Sequence, residues 1–293
     1  MRIGEVVLIH HRTPALLARA LARWDQVAPG LPLRVLDAGG DLDVVPDVPQ
    51  AHLERIPNHS YAAAVNHALK RGPGDGAIVM NADVLVAEDT LEALRAPFGD
   101  PDVALVGPLG RAPDGRLQDM GLPYRLATRA VRGRGPAATV DVAWLSGFLF
   151  AARRAAARDV GGMDAGLRFF NEDLEWCLRL RRGGWRCRLV GAEVEHVGGA
   201  ATPAAGRFQV EGLRGGMIVA DRYRGPLRRE AQRLGLALAA GWMARRGPPE
   251  DRATWRAVGR MVRAGRYDLS PFGASLADDA PGFPDAWPPE AGT

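Results

Sequence analysis

Two adjacent carboxylates begin a predicted helix, and a histidine follows one strand later. Glu172 and Asp173 start a helical pattern that ends at Gly183–Gly184, where acids suit the positive end of the helix dipole and glycine suits a left-handed end. A strand over 185–190 and a short connector then lead to His196. A carboxylate can act as a general base and an imidazole can bind a metal. The alternative is that the acids only cap the helix and that the histidine is structural.

A second set of candidate residues lies where predicted strands end. Asp83 follows the most clearly apolar strand, 77–80, with Asn81 two positions earlier, and Asp37 follows a strand over 33–36. Aspartate is depleted within strands, and open α/β sheets bind ligands at their carboxyl edge. Carboxylate oxygens suit Mg²⁺, so Asp83 is placed where a divalent cation and a diphosphate could meet. For Asp37, an ordinary turn-initiating aspartate is the alternative.

Two further segments carry polar groups that need a partner. Asn66 lies in the middle of a predicted helix over 58–69, where asparagine has no intrinsic preference, so its amide bonds either backbone or a ligand. Residues 108–138 are rich in Gly, Pro and Arg, which predicts a long loop of the kind that is more often functional than idle. A strand over 140–145 then ends at Ser146–Gly147.

The order of these elements predicts the fold class and the domains. Strand and helix patterns alternate through 1–205, which indicates an α/β domain with parallel strands. Residues 206–270 follow as amphipathic helices rich in arginine, and 271–293 are rich in Pro, Gly and Asp, which predicts an irregular tail.

The helical segment is strongly basic. Residues 222–266 carry twelve arginines and three acids, a local charge of +9, so that a chain of net charge +4 has −5 elsewhere. Such a segment suggests an anionic partner. Two interpretations stay open: the apolar faces pack on the body of the protein with the arginines in solvent, or they contact an anionic membrane surface.

Composition narrows the class of protein. With 47% apolar and 25% charged residues the chain is typical of a soluble globular protein. Its two cysteines, Cys177 and Cys187, form no disulfide framework and fit a reduced cytosol. A strand at the N-terminus predicts that no signal peptide is present. We therefore expect a cytoplasmic protein, with peripheral contact at the inner face of the cell membrane and a homodimer both left open.

In chain order the motifs resemble one family. They are the strand with Asp37-Ala38-Gly39-Gly40, Asn58 with Tyr61 and Asn66, the strand with Asn81-Ala82-Asp83-Val84, Trp144-Leu145-Ser146-Gly147, Gly161-Gly162-Met163-Asp164, Phe170 with Glu172-Asp173, and Gly184 with His196. Over about residues 3–205 they resemble the bacterial inverting glycosyltransferases of family 2, in particular the rhamnosyltransferase-like branch. The resemblance implies a GT-A fold, which is a Rossmann-like, mostly parallel sheet flanked by helices, here with a C-terminal helical extension.

The resemblance also implies a role for each motif. Asp37 would bond the base or ribose of the nucleotide, while Asn66, Ser146 and Gly147 would line the donor pocket. Asn81 would face the sugar nucleotide, and Asp83 and His196 would bind Mg²⁺ or Mn²⁺. Asp173 would be the catalytic base, with Glu172 beside it in the acceptor site.

The implied reaction moves a sugar from a nucleotide-diphosphate sugar, with dTDP-rhamnose as the donor that this branch suggests, to a glycan or lipid-linked acceptor, as in cell-envelope polysaccharide biosynthesis. Two other functions are weighed against it. A sugar-phosphate nucleotidyltransferase usually needs a glycine-rich basic loop over the triphosphate, and residues 10–16 lack one. The other is a non-catalytic protein that binds sugar nucleotides or glycans, which leaves Asp83, Asp173 and His196 without a task. No motif for reading nucleic-acid bases is present, so no nucleic-acid partner is expected.

Overall fold

The computed structural model describes residues 1–43, 48, 51–118, 122–199 and 206–273, excluding the side chains of 122 and 123. The predicted domain boundary at 205 lies outside these residues, as does the predicted tail 271–293 from residue 274 onward, and both stay predictions. The chain forms two compact units. The sheet unit comprises the described parts of Met1–Asn58, Ala62–Asp164 and Asp173–Ala201, and the helical unit comprises His59–Tyr61, Ala165–Glu172 and the described part of 206–273.

The sheet unit contains nine strands among its described residues. They are β1 (Ile3–His10), β2 (Leu33–Asp37), β3 (Ala51–Arg55), β4 (Gly76–Asn81), β5 (Val84–Leu85), β6 (Val103–Arg111), β7 (Thr139–Val142), β8 (Leu149–Arg153) and β9 (Arg186–His196). Their order across the sheet is β3-β2-β1-β4-β8-β6-β9-β5, with β7 paired to β9. Six of the nine run in one direction, because only β5, β7 and β8 pair antiparallel to their neighbours. The predicted mostly parallel sheet is therefore confirmed.

Register brings several strand ends to one edge of the sheet. His10 of β1 lies opposite Asp37 of β2, and Ile9 lies opposite Asn81 of β4. The carboxyl ends of β1, β2 and β4 thus present their last residues together, as expected for adjacent parallel strands.

Helices flank the sheet and complete its core. They are α1 (Pro14–Val27), α2 (Tyr61–Lys70), α3 (Thr90–Arg95), α4 (Leu122–Val131), α5 (Arg154–Val160) and α6 (Glu172–Arg182), with a short 3-10 helix at Ala96–Gly99. On α1, Leu17, Leu21 and Trp24 recur at helical spacing and are fully buried against the strands. Burial of such large side chains contributes about 1.5–3 kcal/mol each, which fixes the helix on the sheet.

The helical unit contains three long helices. They are α7 (Arg207–Tyr223), α8 (Pro226–Arg246) and α9 (Arg252–Ala264), with a 3-10 turn at Pro249–Asp251. The predicted apolar face of α9 is buried at Val258 and Val262, where it packs with Val210 of α7 and Ala240 of α8. The predicted apolar face of α8 is instead exposed at Leu227, Leu234, Leu238 and Trp242. The apolar face of α9 is therefore covered within the helical unit, whereas the predicted apolar face of α8 is exposed.

Two local predictions differ from the structure. The segment predicted as a long loop over 108–138 contains α4 and the end of β6. His196 was expected after a connector, but it is the last residue of β9, an eleven-residue strand that pairs along β6. The polar residues within 191–196 hid this continuation, since long pairing with a neighbouring strand outweighs local propensity. Among the described residues, no helix is both long enough and apolar enough to cross a bilayer.

Candidate active site

Asp83 and His196 meet just beyond the carboxyl end of β4. Val84 of β5 pairs with His196 of β9, which brings the preceding residue, Asp83, close to His196. Nε2 of His196 lies 3.6 Å from Oδ1 of Asp83, which is too long for a hydrogen bond but leaves both atoms available to one cation. The backbone N–H of Gly198 donates to Oδ2 of Asp83 at 3.1 Å and holds the carboxylate in place.

Gln118 fixes which nitrogen of His196 carries the proton. Its Oε1 lies 2.9 Å from Nδ1 of His196, and its Nε2 donates to the His196 carbonyl at 3.2 Å. An amide oxygen only accepts, so Nδ1 carries the hydrogen and Nε2 presents its lone pair towards Asp83. Burial lowers the pKa of His196, although the charge of Asp83 opposes the shift, so the neutral imidazole is favoured. The donor set fits Mg²⁺ or Mn²⁺ with water and phosphate as further ligands.

The sequence did not single out Gln118. It lies in the segment 108–138, and only the length of that segment indicated function. A second contact orients the His196 ring. The Phe148 ring stacks on its face, with centroids 4.6 Å apart and planes at 20°.

The turn before β8 connects this pair to the predicted base. Phe148 belongs to that turn, and its carbonyl accepts the N–H of Asn81 at 2.9 Å. The preceding residue, Gly147, donates its N–H to Oδ2 of Asp173 at 2.8 Å. Asn81, Asp83, His196 and Asp173 are therefore all held around one short segment.

Asp173 occupies the first turn of α6 and is partly buried. Besides Gly147, the backbone N–H of Leu174 donates to its Oδ1 at 2.7 Å. Burial raises the pKa of Asp173, and the two backbone N–H groups only partly offset this rise. A carboxylate with a raised pKa is a stronger base than an exposed aspartate. Tyr124, which the sequence analysis did not single out, is buried nearby on α4 with its ring 5.6 Å from that of Trp144.

Glu172 begins α6 and is buried at the end of the segment Ala165–Glu172 of the helical unit. The chain reaches it through two non-glycine residues in the left-handed region, Phe170 at φ 66° and Asn171 at φ 69°. The Asn171 side chain donates to the carbonyl of Gly212 at 2.8 Å, which offsets the strain locally. The role of Glu172 in an acceptor site stays a prediction.

Asn66 makes the backbone contact that the sequence left open. Its Nδ2 donates to the Met163 carbonyl at 2.8 Å, and its Oδ1 accepts the Met163 N–H at 2.7 Å. Gly162 precedes Met163 with φ 75°, and a Cβ there would collide with Asn66. These contacts explain why glycine at 162 precedes Met163 in the Gly-Gly-Met motif. The roles of Asn66 and the partly exposed Ser146 in a donor pocket stay predictions.

Asp37 makes the contacts of a turn-initiating aspartate. Its Oδ1 accepts the N–H groups of Gly39 at 3.0 Å and Gly40 at 2.8 Å, and its Oδ2 accepts that of Leu42 at 3.3 Å. His10 and Asp41 lie beside it, with Nε2 of His10 3.0 Å from Oδ1 of Asp41. One ligand atom from each of His10, Asp37 and Asp41 falls within 4.8 Å of the others. The sequence analysis did not identify this group, and the contact of Asp37 with a nucleotide stays a prediction.

Solved structures share this architecture. The chain superimposes on GalNAc-T7, crystallised with UDP, GalNAc and Mn²⁺, with a TM-score of 0.59, 15% identity and coverage of 89% of this chain and 55% of that one. It superimposes on TarS residues 1–349 of S. aureus with a TM-score of 0.57, 13% identity and coverage of 91% and 82%. The fold is therefore that of the GT-A glycosyltransferases, as predicted.

The sequence comparisons then show the family. The family model described as "Glycosyl transferase family 21" matches residues 62–211, and the chain belongs to this family. The chain is also 31% identical over 189 residues to the N-acetylglucosaminyl-diphospho-decaprenol L-rhamnosyltransferase of Mycobacterium tuberculosis, in strains CDC 1551 / Oshkosh and ATCC 25618 / H37Rv. That match covers 50% of this chain and 62% of the relative, so the chain spans less than two thirds of the curated relatives it matches.

Proposed function

We propose that the protein is an inverting glycosyltransferase that moves a sugar from a nucleotide-diphosphate sugar to the hydroxyl of a glycan or lipid-linked acceptor. The observation that carries the proposal is the pair formed by Asp83 and neutral His196 at the carboxyl end of β4, with Nε2 and Oδ1 3.6 Å apart. This is where an α/β sheet binds ligands, and the two side chains suit the divalent cation that a diphosphate donor brings.

In this proposal each side chain has one task. Asp83 and His196 would hold Mg²⁺ or Mn²⁺, which when bound neutralises charge on the diphosphate leaving group. Asn81, at the end of β4, would contact the sugar nucleotide, and Asp37 its base or ribose. Gly147 and Ser146 would line the donor pocket. Glu172 would lie in the acceptor site.

Asp173 would take the proton of the acceptor. The acceptor oxygen forms a bond to the anomeric carbon as the bond from that carbon to the diphosphate oxygen breaks, and the hydroxyl proton passes to the Asp173 carboxylate. Attack from the face opposite the leaving group inverts the anomeric centre. The raised pKa of Asp173, caused by burial, supports this role because the carboxylate then takes up a proton more readily.

The donor proposal rests on the relative. A mycobacterial L-rhamnosyltransferase is 31% identical to this chain, which favours dTDP-rhamnose. The name of that relative also includes a diphospho-decaprenol, and we propose a lipid-linked acceptor by analogy. The reaction would then take place in the cytoplasm at the inner face of the cell membrane. The proposal holds for a monomer and for a homodimer alike.

Calorimetric titration of sugar nucleotides tests the proposal. dTDP-rhamnose, UDP-glucose, UDP-galactose and GDP-mannose are each titrated with Mn²⁺ and with EDTA into wild type, Asp83→Ala and Asp89→Ala. Asp89 is an exposed aspartate that makes no cap hydrogen bond and serves as the matched control. We expect one donor to bind with Mn²⁺ only, and Asp83→Ala alone to abolish the binding.

A variant at the second His/Asp group separates the two candidate cation positions. If Asp41→Ala abolishes Mn²⁺-dependent binding and Asp83→Ala does not, the metal site lies at His10, Asp37 and Asp41 and the assignment to Asp83 is wrong. Donor binding without turnover of any glycan or lipid-linked acceptor would favour a non-catalytic binding protein instead.

A further inference from the structure

Helix α8 presents a line of large apolar side chains to solvent. Leu227 is 86% exposed, Leu234 49%, Leu238 75% and Trp242 62%. At 100° per residue, all four fall within about 80° of the helix circumference and extend over about 22 Å of its length. We call these four residues the α8 stripe. Single exposed leucines are ordinary, but a continuous exposed patch of this kind marks an interaction surface.

The fold of the helical unit does not need the stripe. Helix α8 is anchored by its opposite face, where Ala240 is buried in a cluster with Val258 and Met261 of α9, and Leu236 and Ala237 pack against it. The helix therefore has its core contacts on that face, and the α8 stripe takes no part in them.

The surroundings of the stripe are strongly basic. Helix α8 carries five arginines and one glutamate, and α9 carries four arginines and no acid. Arg228 and Arg246 flank the stripe, since both lie about 100° from Leu227 around the helix. Helices that lie in the interface of an anionic membrane combine arginines with an exposed line of leucine and tryptophan, as α8 does.

A groove between α8 and α9 gathers three of these arginines. Its volume is about 250 Å³, and its lining includes Arg245, Arg256 and Arg263 together with Trp255. Arg245 lies at the same position around the helix as Leu227, five turns further along. The groove therefore opens beside the C-terminal end of the stripe, where guanidinium groups could bind the phosphate of a lipid headgroup.

The charges favour a membrane over a second copy of the chain. Antiparallel pairing of two α8 helices about the middle of the stripe would set Arg228 of one copy opposite Gly241 of the other, about one helical turn from its Arg245 and Arg246, and like charges repel. A lipid surface instead supplies the negative charge and conforms to a convex helix. We propose that α8 docks the protein on an anionic membrane surface, with the α8 stripe at the headgroup–acyl boundary and Arg245, Arg256 and Arg263 on lipid phosphates.

Vesicle flotation with the full chain tests this inference independently of catalysis, because none of the proposed catalytic or binding residues lies on α8 or α9. Vesicles of phosphatidylcholine alone are compared with vesicles that also contain phosphatidylglycerol. We expect flotation with the anionic vesicles only, weakening as salt is added. Leu238→Gln/Trp242→Gln should weaken vesicle binding about tenfold or more, since two apolar anchors are lost. Leu126→Gln, on a leucine of α4 that is 59% exposed, should leave vesicle binding unchanged.

The groove and the occupant are tested separately. Arg245→Gln/Arg256→Gln should abolish the preference for phosphatidylglycerol, and inorganic phosphate should not displace the protein from vesicles. Equal binding by wild type and Leu238→Gln/Trp242→Gln would overturn the proposal, as would no binding to anionic vesicles. Sedimentation that shows a wild-type dimer turned into a monomer by the same double variant would also overturn it, because the stripe would then be a subunit contact.

Discussion

The backbone N–H of Gly147 donates to Oδ2 of Asp173 at 2.8 Å, and this contact connects the start of α6 to the turn that precedes β8. The next residue of that turn, Phe148, stacks on His196. The proposed base and the proposed metal ligands are thus positioned by consecutive residues.

Replacing Asp173 by Asn should abolish most transfer while leaving donor binding intact. Asparagine cannot accept the acceptor proton, and loss of a general base costs about 10²–10⁴-fold in rate. The measurement is the initial rate of transfer together with the Kd of the donor, with Asp89→Asn as the control. Weaker donor binding by Asp173→Asn would instead assign Asp173 to the donor pocket.

The pH dependence of transfer follows from the same residue. Burial raises the pKa of Asp173, so its carboxylate becomes protonated at a higher pH than an exposed aspartate. The base form exists above that pKa, and the rate should fall as the pH falls through it. The rate profile is recorded alongside Mn²⁺-dependent donor binding over the same range. If binding and rate fall together, the loss arises at the metal ligands and not at Asp173.

Gln118→Ala should weaken Mn²⁺ binding without touching a metal ligand. Removal of the amide frees the His196 ring and its tautomer, and loss of such an orienting partner typically costs about 10–100-fold in metal affinity. Gln118→Glu should retain more binding than Gln118→Ala, because a carboxylate still accepts the Nδ1 hydrogen although it no longer donates to the His196 carbonyl. Titration of Mn²⁺ monitored by electron paramagnetic resonance measures both. The matched control is Gln232→Ala, on a glutamine that makes comparable contacts to Arg224 and Gly216.

How far the sequence predicts this site depends on the distance between the partners along the chain. Asp83 follows the end of an apolar strand, and Asp173 lies at the start of an amphipathic helix, so the local sequence pattern identifies both positions. Gln118 is 78 residues from His196, so nothing near either residue reveals the pair. The exposure of the α8 stripe was equally hidden, because amphipathic spacing shows that a helix has an apolar face but not what covers it.

Gly162→Ala should destabilise the sheet unit more than Gly115→Ala, although both glycines have a similar positive φ. The residue has φ 75°, and an added Cβ would meet the Asn66 side chain. Gly115 has φ 80° with open space around its Cβ position, so Gly115→Ala isolates the backbone strain of about 1–3 kcal/mol. Urea unfolding measures both.

Combination with Asn66→Ala tests the source of the extra cost. Asn66→Ala alone should cost about 1–3 kcal/mol, because the N–H and carbonyl of Met163 lose their partner. In that background Gly162→Ala should cost no more than Gly115→Ala does in the wild type. Equal additive losses would show that Asn66 and Gly162 act independently and that the collision does not limit the position.

Glu211→Ala should lower the free energy of unfolding of the helical unit more than a substitution on its surface does. Arg214 is 2% exposed and Glu211 0%, and the pair also binds the carbonyl of Tyr267, at 2.7 Å, and the hydroxyl of Ser270, at 3.0 Å. Removing Glu211 leaves a buried guanidinium without its carboxylate, which costs about 3–5 kcal/mol. Glu230 and Arg233 have the same three-residue spacing on the surface of α8, so Glu230→Ala should leave the unfolding midpoint unchanged. A small effect of Glu211→Ala would mean that water or a neighbouring acid replaces the lost partner, and equal effects at both positions would refute the role of burial.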